Sequence, residues 1–85
     1  MVTQEITLKN EEGLHARPAT EIAKKASKYS CDIKLDVKGT EYNAKSVIHI
    51  MSAGIKNNTQ IKIICDGVDE EKALVEIAEL FENLP

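Results

Sequence analysis

DIKLDVKGTEYN, at residues 32–43, is the stretch that decides the fold, because it predicts an antiparallel β-hairpin. Ile33, Leu35 and Val37 alternate with polar residues, which is the pattern of a strand with one buried face. A Lys-Gly pair ending at Gly39 then provides a tight turn into a second strand. Since the two strands of a hairpin run in opposite directions, the sheet built around them is predicted to be antiparallel.

Two further strands are predicted, one before and one after the hairpin. Val2, Ile6 and Leu8 lie at every second position of residues 2–9, with polar residues at the positions between them and Gln4 in the same row. Ile61, Ile63 and Cys65 alternate with their neighbours in the same way. The polar alternates on these strands require one face of the sheet to meet solvent. The opposite face is left for helices.

Three helices are predicted between and after the strands. Alanine and isoleucine recur at helical spacing over residues 16–28, which favours an amphipathic helix that lies close to a sheet. Ser46 and Gly54 bracket an apolar run as a cap and a terminator, so we predict a helix of two turns or fewer, with a strand as the alternative. Asp69 is predicted to cap a last helix whose apolar residues extend to Leu84.

These elements follow one another as β-α-β-β-α-β-α. The predicted fold class is α+β, a two-layer domain in which a four-stranded antiparallel sheet carries all three helices on one face. Residues 1–85 are expected to form a single domain, since 85 residues leave room for only one. A large substrate cavity is not expected in so small a core.

Charge and composition argue against several classes of protein. The 11 Lys and Arg against 14 Asp and Glu give a net charge of −3, so we expect no nucleic-acid partner. No stretch reaches the apolar length of a membrane span and no leader is visible, so we expect a cytoplasmic protein without membrane insertion. Cys31 and Cys65 lack disulfide-framework or metal spacing and are predicted to be reduced and buried, with a redox or disulfide role as the alternative.

GLHARPA, at residues 13–19, links the first strand to the first helix and contains the candidate site. Gly13 permits the positive φ of a sharp turn, and Pro18 fits the first helical turn because its missing N–H has no intrahelical partner there. His15 is then predicted at the N-cap or just before it, beside free helix amides that favour an anion. Arg17 adds a planar, permanently charged group that matches phosphate.

A histidine in this position predicts a reversible phosphoryl acceptor. Phosphoryl transfer depends on position and charge more than on covalent machinery, and the free amides of Ala16 and Arg17 would point at the ring. The alternative is a surface histidine that only caps the helix. Metal binding is disfavoured, because His49 is the sole second imidazole and no metal-ligand spacing surrounds either one.

GLHARPA, together with KSV at residues 45–47 and MSAGI at residues 51–55, resembles the HPr family, the histidine-containing phosphocarrier proteins of the bacterial sugar phosphotransferase system. The resemblance covers essentially the whole chain without gaps. It implies an open-faced β-sandwich with the sheet in strand order 1-4-2-3. It also implies a stoichiometric phosphocarrier with no cofactor, and not an enzyme with turnover of its own.

The resemblance further implies roles for individual residues. His15 is the expected acceptor of a phosphoryl group from enzyme I, which phosphoenolpyruvate charges, and the expected donor to sugar-specific enzyme IIA proteins. Ala16, Arg17 and Pro18 are the expected phosphate-stabilising residues. The protein is expected to be a monomer.

Ser46 matches the regulatory serine of the family. In low-GC Gram-positive bacteria that serine is phosphorylated by the ATP-dependent HPr kinase/phosphorylase, and the modified form is a corepressor for the catabolite control protein CcpA. The alternative role of Ser46 is that of a plain helix N-cap, and the two roles are compatible.

The docking surface that the resemblance implies is an apolar group beside His15 with basic residues at its edge. Its expected members are Val47, Ile48, Met51 and Ile55, with Lys24 and Lys45. The alternative is that these apolar residues belong to the core, which we expect for Ile50 and at least one other. A helix this short cannot bury every face, so some of them are expected at the surface.

Two residues depart from the family pattern. Glu12 stands where Ser, Asn or Thr is frequent, and because its charge would repel phosphate its side chain is expected to point to solvent. His49 replaces a common glycine, which affects the kinase and repressor contacts more than the phosphocarrier role. The rival function is a regulatory binding module, and a nitrogen-type phosphotransfer branch is a further alternative, whereas the presence of His15 and Arg17 favours the phosphocarrier.

Overall fold

The computed structural model describes residues 1–84, which form a four-stranded sheet and three helices. The strands are β1 (Val2–Thr7), β2 (Asp32–Val37), β3 (Thr40–Asn43) and β4 (Gln60–Asp66). The helices are α1 (Ala16–Ala26), α2 (Val47–Ser52) and α3 (Glu70–Glu82). The order along the chain is the predicted one.

All neighbouring strands of the sheet are antiparallel, in the order β1-β4-β2-β3. The predicted fold class is therefore confirmed, together with the strand order that the family resemblance implied. On β4, Cys65 lies opposite Val2 of β1 on one side and Ile33 of β2 on the other. Because directly paired residues share a face, these three side chains all point towards the helices.

The core fills the space between the sheet and the helices. On β2 and β4 every second residue is buried, and the residues between them are mostly exposed, as the alternation predicted. The small side chains of Ala19, Ala23 and Ala26 on α1 are buried and let this helix lie close to the sheet. On β1 the alternation is weaker, because Gln4 is exposed although its position belongs to the inner face.

The bounds of α1 and α2 largely agree with the sequence. α1 ends at Ala26, two residues before the predicted end, because the Lys28 amide donates to the Lys25 carbonyl, three residues back instead of four. The apolar run after Ser46 is a helix of six residues, so the helix prediction is confirmed over the strand alternative. Gly54 follows it with a φ of +60°, as a helix terminator does.

The start of α3 differs from the prediction in its capping. Asp69 occupies the N-cap position, but its side chain makes no cap hydrogen bond. Its two carboxylate oxygens instead accept from the backbone amides of Ser30 and Cys31, each at 2.9 Å. The Glu70 carboxylate accepts from the Gly67 amide at 3.0 Å. Asp69 thus joins α3 to the segment between α1 and β2, a contact that no local pattern indicates.

Both cysteines are buried and free, in agreement with the predicted reduced thiols. Burial raises the pKa of Cys31 to about 12, and the Asp69 carboxylate beside it adds to the rise. A thiol with so high a pKa carries almost no thiolate at neutral pH, which makes it unreactive.

Candidate functional site

A tight turn before α1 fixes the approach of the chain to His15. The Asn10 side-chain oxygen accepts from the Glu12 amide at 2.9 Å, and the Asn10 carbonyl accepts from the Gly13 amide at 3.1 Å. Gly13 has a φ of +73°, and a Cβ placed on it would lie 2.7 Å from the carbonyl oxygen of Ile55. Only glycine fits both the backbone conformation and the close approach.

The segment before α1 is also bound to the segment after α2. The Leu14 amide donates to the Ile55 carbonyl at 2.9 Å, and both side chains are buried in the core. His15, the next residue, is consequently held at the surface by contacts that lie on both sides of it. Its side chain is 46% exposed.

His15 is the N-cap residue of α1, with extended backbone angles, as predicted. The first helical hydrogen bond runs from the Ala19 amide to the His15 carbonyl at 3.0 Å. Pro18 has no N–H, so the donors without an intrahelical partner in the first turn are the amides of Ala16 and Arg17. The His15 side chain makes no hydrogen bond to the helix start, and the first turn contains no acidic residue. The positive end of α1 therefore faces solvent beside an exposed imidazole.

Glu12 does not point away from His15. Its Oε1 atom lies 3.8 Å from Nε2 of His15, although the Glu12 side chain is 72% exposed. Glu12 is exposed to solvent, as expected, but its carboxylate also approaches His15, because the turn at Asn10 brings the side chains of residues 12 and 15 to the same side. A carboxylate stands next to the proposed phosphoryl acceptor.

The basic residues of the site occupy different environments. Arg17 and Lys24 are exposed on α1, which is compatible with contacts to an anion or a partner. Lys45 is half-buried, and its ammonium donates to the Tyr29 carbonyl at 2.8 Å, beyond the end of α1. This hydrogen bond links the segment that follows α1 to the segment before α2. Lys45 also contributes a positive charge at the edge of the predicted docking surface.

Ser46 is the N-cap of α2, as predicted. Its hydroxyl oxygen accepts from the His49 amide at 3.2 Å, and its carbonyl accepts from the Ile50 amide at 3.0 Å. The capping role is shown by this geometry, and Ser46 is also half-buried next to α2 residues of the predicted docking surface.

The predicted docking residues separate into exposed and buried members. Ile48 is 83% exposed and Met51 is 44% exposed, while Val47 is half-buried against the core. Ile55 is only 4% exposed, and Ile50 is fully buried. The inclusion of Ile55 in the docking surface is therefore wrong, because its side chain packs inside the core, and the expectation that Ile50 and one other apolar residue are core is confirmed.

His49 has a structural contact that the sequence did not indicate. Its Nδ1 accepts from the Asn43 amide at 2.9 Å, and its ring meets the Tyr42 ring edge-on, with centroids 5.3 Å apart. The Asn43 side chain in turn accepts from the Lys45 amide at 2.9 Å. These contacts tie α2 to the end of β3, and the Asx turn at Asn43 was the only local signal that could have located them.

The site is a surface and not a cavity. A groove of about 800 Å³ lies between β1 and the end of α3, and its lining includes Glu12 but not His15. No group of three potential metal ligands occurs in the described part of the chain. Within the same residues, no helix is long and apolar enough to cross a membrane.

The fold and the site define a class of small proteins that present one imidazole at an open helix start, beside an exposed apolar helix. Comparison with known proteins specifies the class. The family model for the phosphorylation site of the HPr component of the phosphotransferase system matches residues 2–83. The chain belongs to the HPr family.

Individual relatives support this membership. The phosphocarrier protein HPr of Mycoplasma genitalium is 46% identical over 77 residues, which cover 89% of this chain and 88% of that protein. A solved structure of the histidine-containing phosphocarrier protein of Mycoplasma superposes with a TM-score of 0.90 at 35% identity, covering 93% of this chain and 90% of the other. Crh, a catabolite repression protein of Bacillus subtilis solved as a dimer with a swapped domain, superposes with a TM-score of 0.77 at 33% identity, covering 96% and 94%.

Proposed function

We propose that this protein is a phosphocarrier of the sugar phosphotransferase system. His15 accepts a phosphoryl group from enzyme I, which is charged by phosphoenolpyruvate, and passes it to sugar-specific enzyme IIA proteins. The observation that carries the proposal is the exposed His15 ring at the N-cap of α1, where its side chain leaves the helix amides free. Membership of the HPr family agrees with it.

The chemistry requires little of the protein beyond position and charge. A lone pair of the His15 ring forms a bond to phosphorus while the bond from phosphorus to the donor breaks, and that electron pair stays with the donor. The amides of Ala16 and Arg17 and the guanidinium of Arg17 stabilise the phosphoryl oxygens. Pro18 supports the site by starting the helix without adding an N–H that would need a partner. The protein carries one phosphoryl group and releases it, without turnover of its own.

A relay experiment tests this function. The protein is incubated with radiolabelled phosphoenolpyruvate and enzyme I, and an enzyme IIA protein from the same host is then added. Label should appear first on this protein and then on enzyme IIA, and it should reach neither when this protein is replaced by His15→Ala. Label that reached enzyme IIA through His15→Ala would contradict the role of His15.

Ser46 is proposed as a regulatory phosphorylation site. Its hydroxyl lies at the start of α2, beside the exposed Ile48, so a phosphoryl group there adds about −1.5 to −2 charges at the edge of the docking surface. HPr kinase/phosphorylase is the proposed source of the group, and CcpA is a proposed partner of the modified form. The assignment is tested by incubating the original chain and Ser46→Ala with that kinase and ATP. The mass of the original chain should increase by one phosphoryl group, and the mass of Ser46→Ala should not change.

The second candidate is a regulatory binding module of the kind that the likeness to Crh suggests. A chain that had lost the carrier role would not need an exposed ring at the helix start, so the geometry of His15 favours the carrier. A nitrogen-type branch would use the same histidine, and the identity of the enzyme IIA protein that accepts the label distinguishes it. We propose a monomeric, cytoplasmic protein, and sedimentation at working concentrations tests the monomer against a Crh-like dimer.

A further inference from the structure

We propose that Glu12 is a positioning residue for His15, whose carboxylate keeps the imidazole proton on Nε2 and so leaves Nδ1 as the phosphoryl-accepting nitrogen. This inference deepens the proposed function and rests on it. Glu12 Oε1 lies 3.8 Å from Nε2, and among residues 1–84 Glu12 is the one carboxylate with an oxygen within 4 Å of a nitrogen of this ring.

The chemistry of the two groups determines which ring nitrogen carries the proton. An ionised carboxylate only accepts hydrogen bonds, whereas a neutral imidazole carries its proton on one of two nitrogens. The nitrogen that faces the carboxylate therefore bears the proton, and the other nitrogen keeps its lone pair. At 3.8 Å the two atoms are farther apart than in a hydrogen bond, so the interaction is electrostatic or passes through one bridging water.

The backbone of Glu12 is held in a turn that places its side chain on the same side as His15. Asn10 is buried, and its side-chain oxygen accepts from the Glu12 amide at 2.9 Å. The Asn10 carbonyl holds the Gly13 amide at 3.1 Å, which closes the turn. The Leu14 amide, on the far side of Gly13, is bound to Ile55. The backbone from which the Glu12 side chain extends towards His15 is thus anchored at both ends of the turn.

This arrangement lets phosphoryl transfer proceed without moving a proton. The Nδ1 lone pair forms the bond to phosphorus, the bond from phosphorus to the donor breaks with its pair left on the donor, and the proton stays on Nε2. The ring then carries a positive charge that faces Glu12. Onward transfer breaks the bond between phosphorus and Nδ1, and that electron pair returns to the ring. A phosphoryl group on Nε2 would instead meet the negative charge of Glu12.

Other charged groups near the ring do not replace Glu12. Glu11 lies in the same turn and is exposed, Arg17 follows on α1, and Lys56 follows the Ile55 contact. The two cations oppose a positive ring. Of the two acidic residues in the turn, only Glu12 has a carboxylate oxygen within 4 Å of a ring nitrogen of His15.

The test uses chemically phosphorylated protein, so that it does not depend on enzyme I. Unmodified chain, Glu12→Gln and the control Glu11→Gln are phosphorylated with phosphoramidate, and loss of the His15 phosphoryl group is followed by phosphorus NMR across a range of pH. A phosphorylated ring that also carries a proton on Nε2 loses its phosphoryl group more readily than a phosphorylated ring without that proton. At pH 8, Glu12→Gln should therefore hydrolyse roughly threefold more slowly than the original chain, as expected for removal of a charge about 4 Å away at an exposed site. Glu11→Gln should hydrolyse at the original rate.

Nitrogen-15 spectra of the unphosphorylated proteins give a second readout. The fraction of His15 rings protonated on Nε2 should fall in Glu12→Gln, while the His49 signals, whose Nδ1 accepts from Asn43, stay constant as an internal reference. Identical pH profiles and ring spectra in Glu12→Gln and the original chain would overturn the proposal, and so would an equal effect in Glu11→Gln. If the Glu12 effect is present but enzyme I does not phosphorylate the protein, the proposed function fails and the positioning role stands.

Discussion

The backbone amide of Leu14 donates to the carbonyl of Ile55 at 2.9 Å, and this bond joins the segment before α1 to the segment after α2. The two residues are 41 positions apart in the sequence. Leu14 immediately precedes His15, the proposed acceptor, and Ile55 follows the exposed helix α2. The proposed phosphoryl acceptor and the proposed docking surface therefore share one rigid support.

Gly13→Ala is predicted to weaken this support. The new Cβ would meet the Ile55 carbonyl at 2.7 Å, and the φ of +73° is unfavourable for alanine. We expect a loss of about 2 kcal/mol in the free energy of unfolding, measured by urea denaturation. Gly39→Ala is the matched control, because Gly39 also has a positive φ but no atom within 4 Å of a new Cβ, so its cost should be about 1 kcal/mol. Equal losses in the two variants would show that the close approach is unimportant.

Arg17→Ala is predicted to fold normally and to slow phosphoryl transfer about 100- to 1,000-fold, the usual effect of removing one donor aimed at developing charge. Arg17→Lys should restore only part of the rate, since lysine retains the charge but not the planar fork. Quenched-flow measurement of phosphoryl transfer from enzyme I gives the rates of both variants. Lys28→Ala, which removes an exposed cation just beyond α1, should be close to the original rate. Full activity in Arg17→Ala would assign phosphate stabilisation to the helix amides alone.

Ser46→Asp is predicted to slow phosphorylation of His15 by enzyme I, mainly through weaker association. The added charge lies beside Ile48 and Met51, where it would repel acidic residues of a partner. Added salt should narrow the difference as it screens the charges. Ser46→Asn is the matched control, because asparagine also caps a helix but adds no charge. A rate for Ser46→Asp equal to that of Ser46→Asn at low salt would leave Ser46 with a capping role only.

Asp69 is predicted to contribute stability that depends on pH. The hydrogen bonds from the Ser30 and Cys31 amides hold the pKa of Asp69 below its ordinary value of 3.8. Its contribution is therefore fully present above the unfolded value and is lost as the pH falls through the lower folded value. Asp69→Asn should be less stable than the original chain at neutral pH, and urea denaturation should show the difference shrinking below about pH 4. A difference that was constant with pH, or one equally large for the exposed Glu71→Gln, would contradict this role.

Local patterns in the sequence were sufficient for the fold, and long-range contacts explain what they missed. The hairpin, the short helix after Ser46 and the N-cap position of His15 each depend on residues a few positions apart. The local pattern predicts Asp69 as a helix cap, because nothing near it in the sequence shows that its carboxylate accepts from the Ser30 and Cys31 amides. The family resemblance implies a surface position for Ile55, whereas its burial depends on the packing of the segment around Leu14.

The sequence was sufficient to place the candidate site at the start of α1 but not to predict its charge environment. His15 and Arg17 stand out by residue type and spacing. The approach of Glu12 to the ring depends on the turn made by Asn10, and the contact of His49 depends on the end of β3. Both contacts are side-chain positions that tertiary structure determines, and the local patterns of a single sequence do not show them.

The proposed function requires that His15 alone carries the phosphoryl group. The most direct measurement is the mass of the intact protein and of its peptides after incubation with phosphoenolpyruvate and enzyme I at neutral pH, for the original chain, His15→Ala and His49→Gln. We predict one acid-labile phosphoryl group on the peptide that contains His15 in the original chain and in His49→Gln, and none in His15→Ala. A phosphoryl group on His15→Ala, or on the His49 peptide of the original chain, would show that His15 is not the sole phosphoryl acceptor.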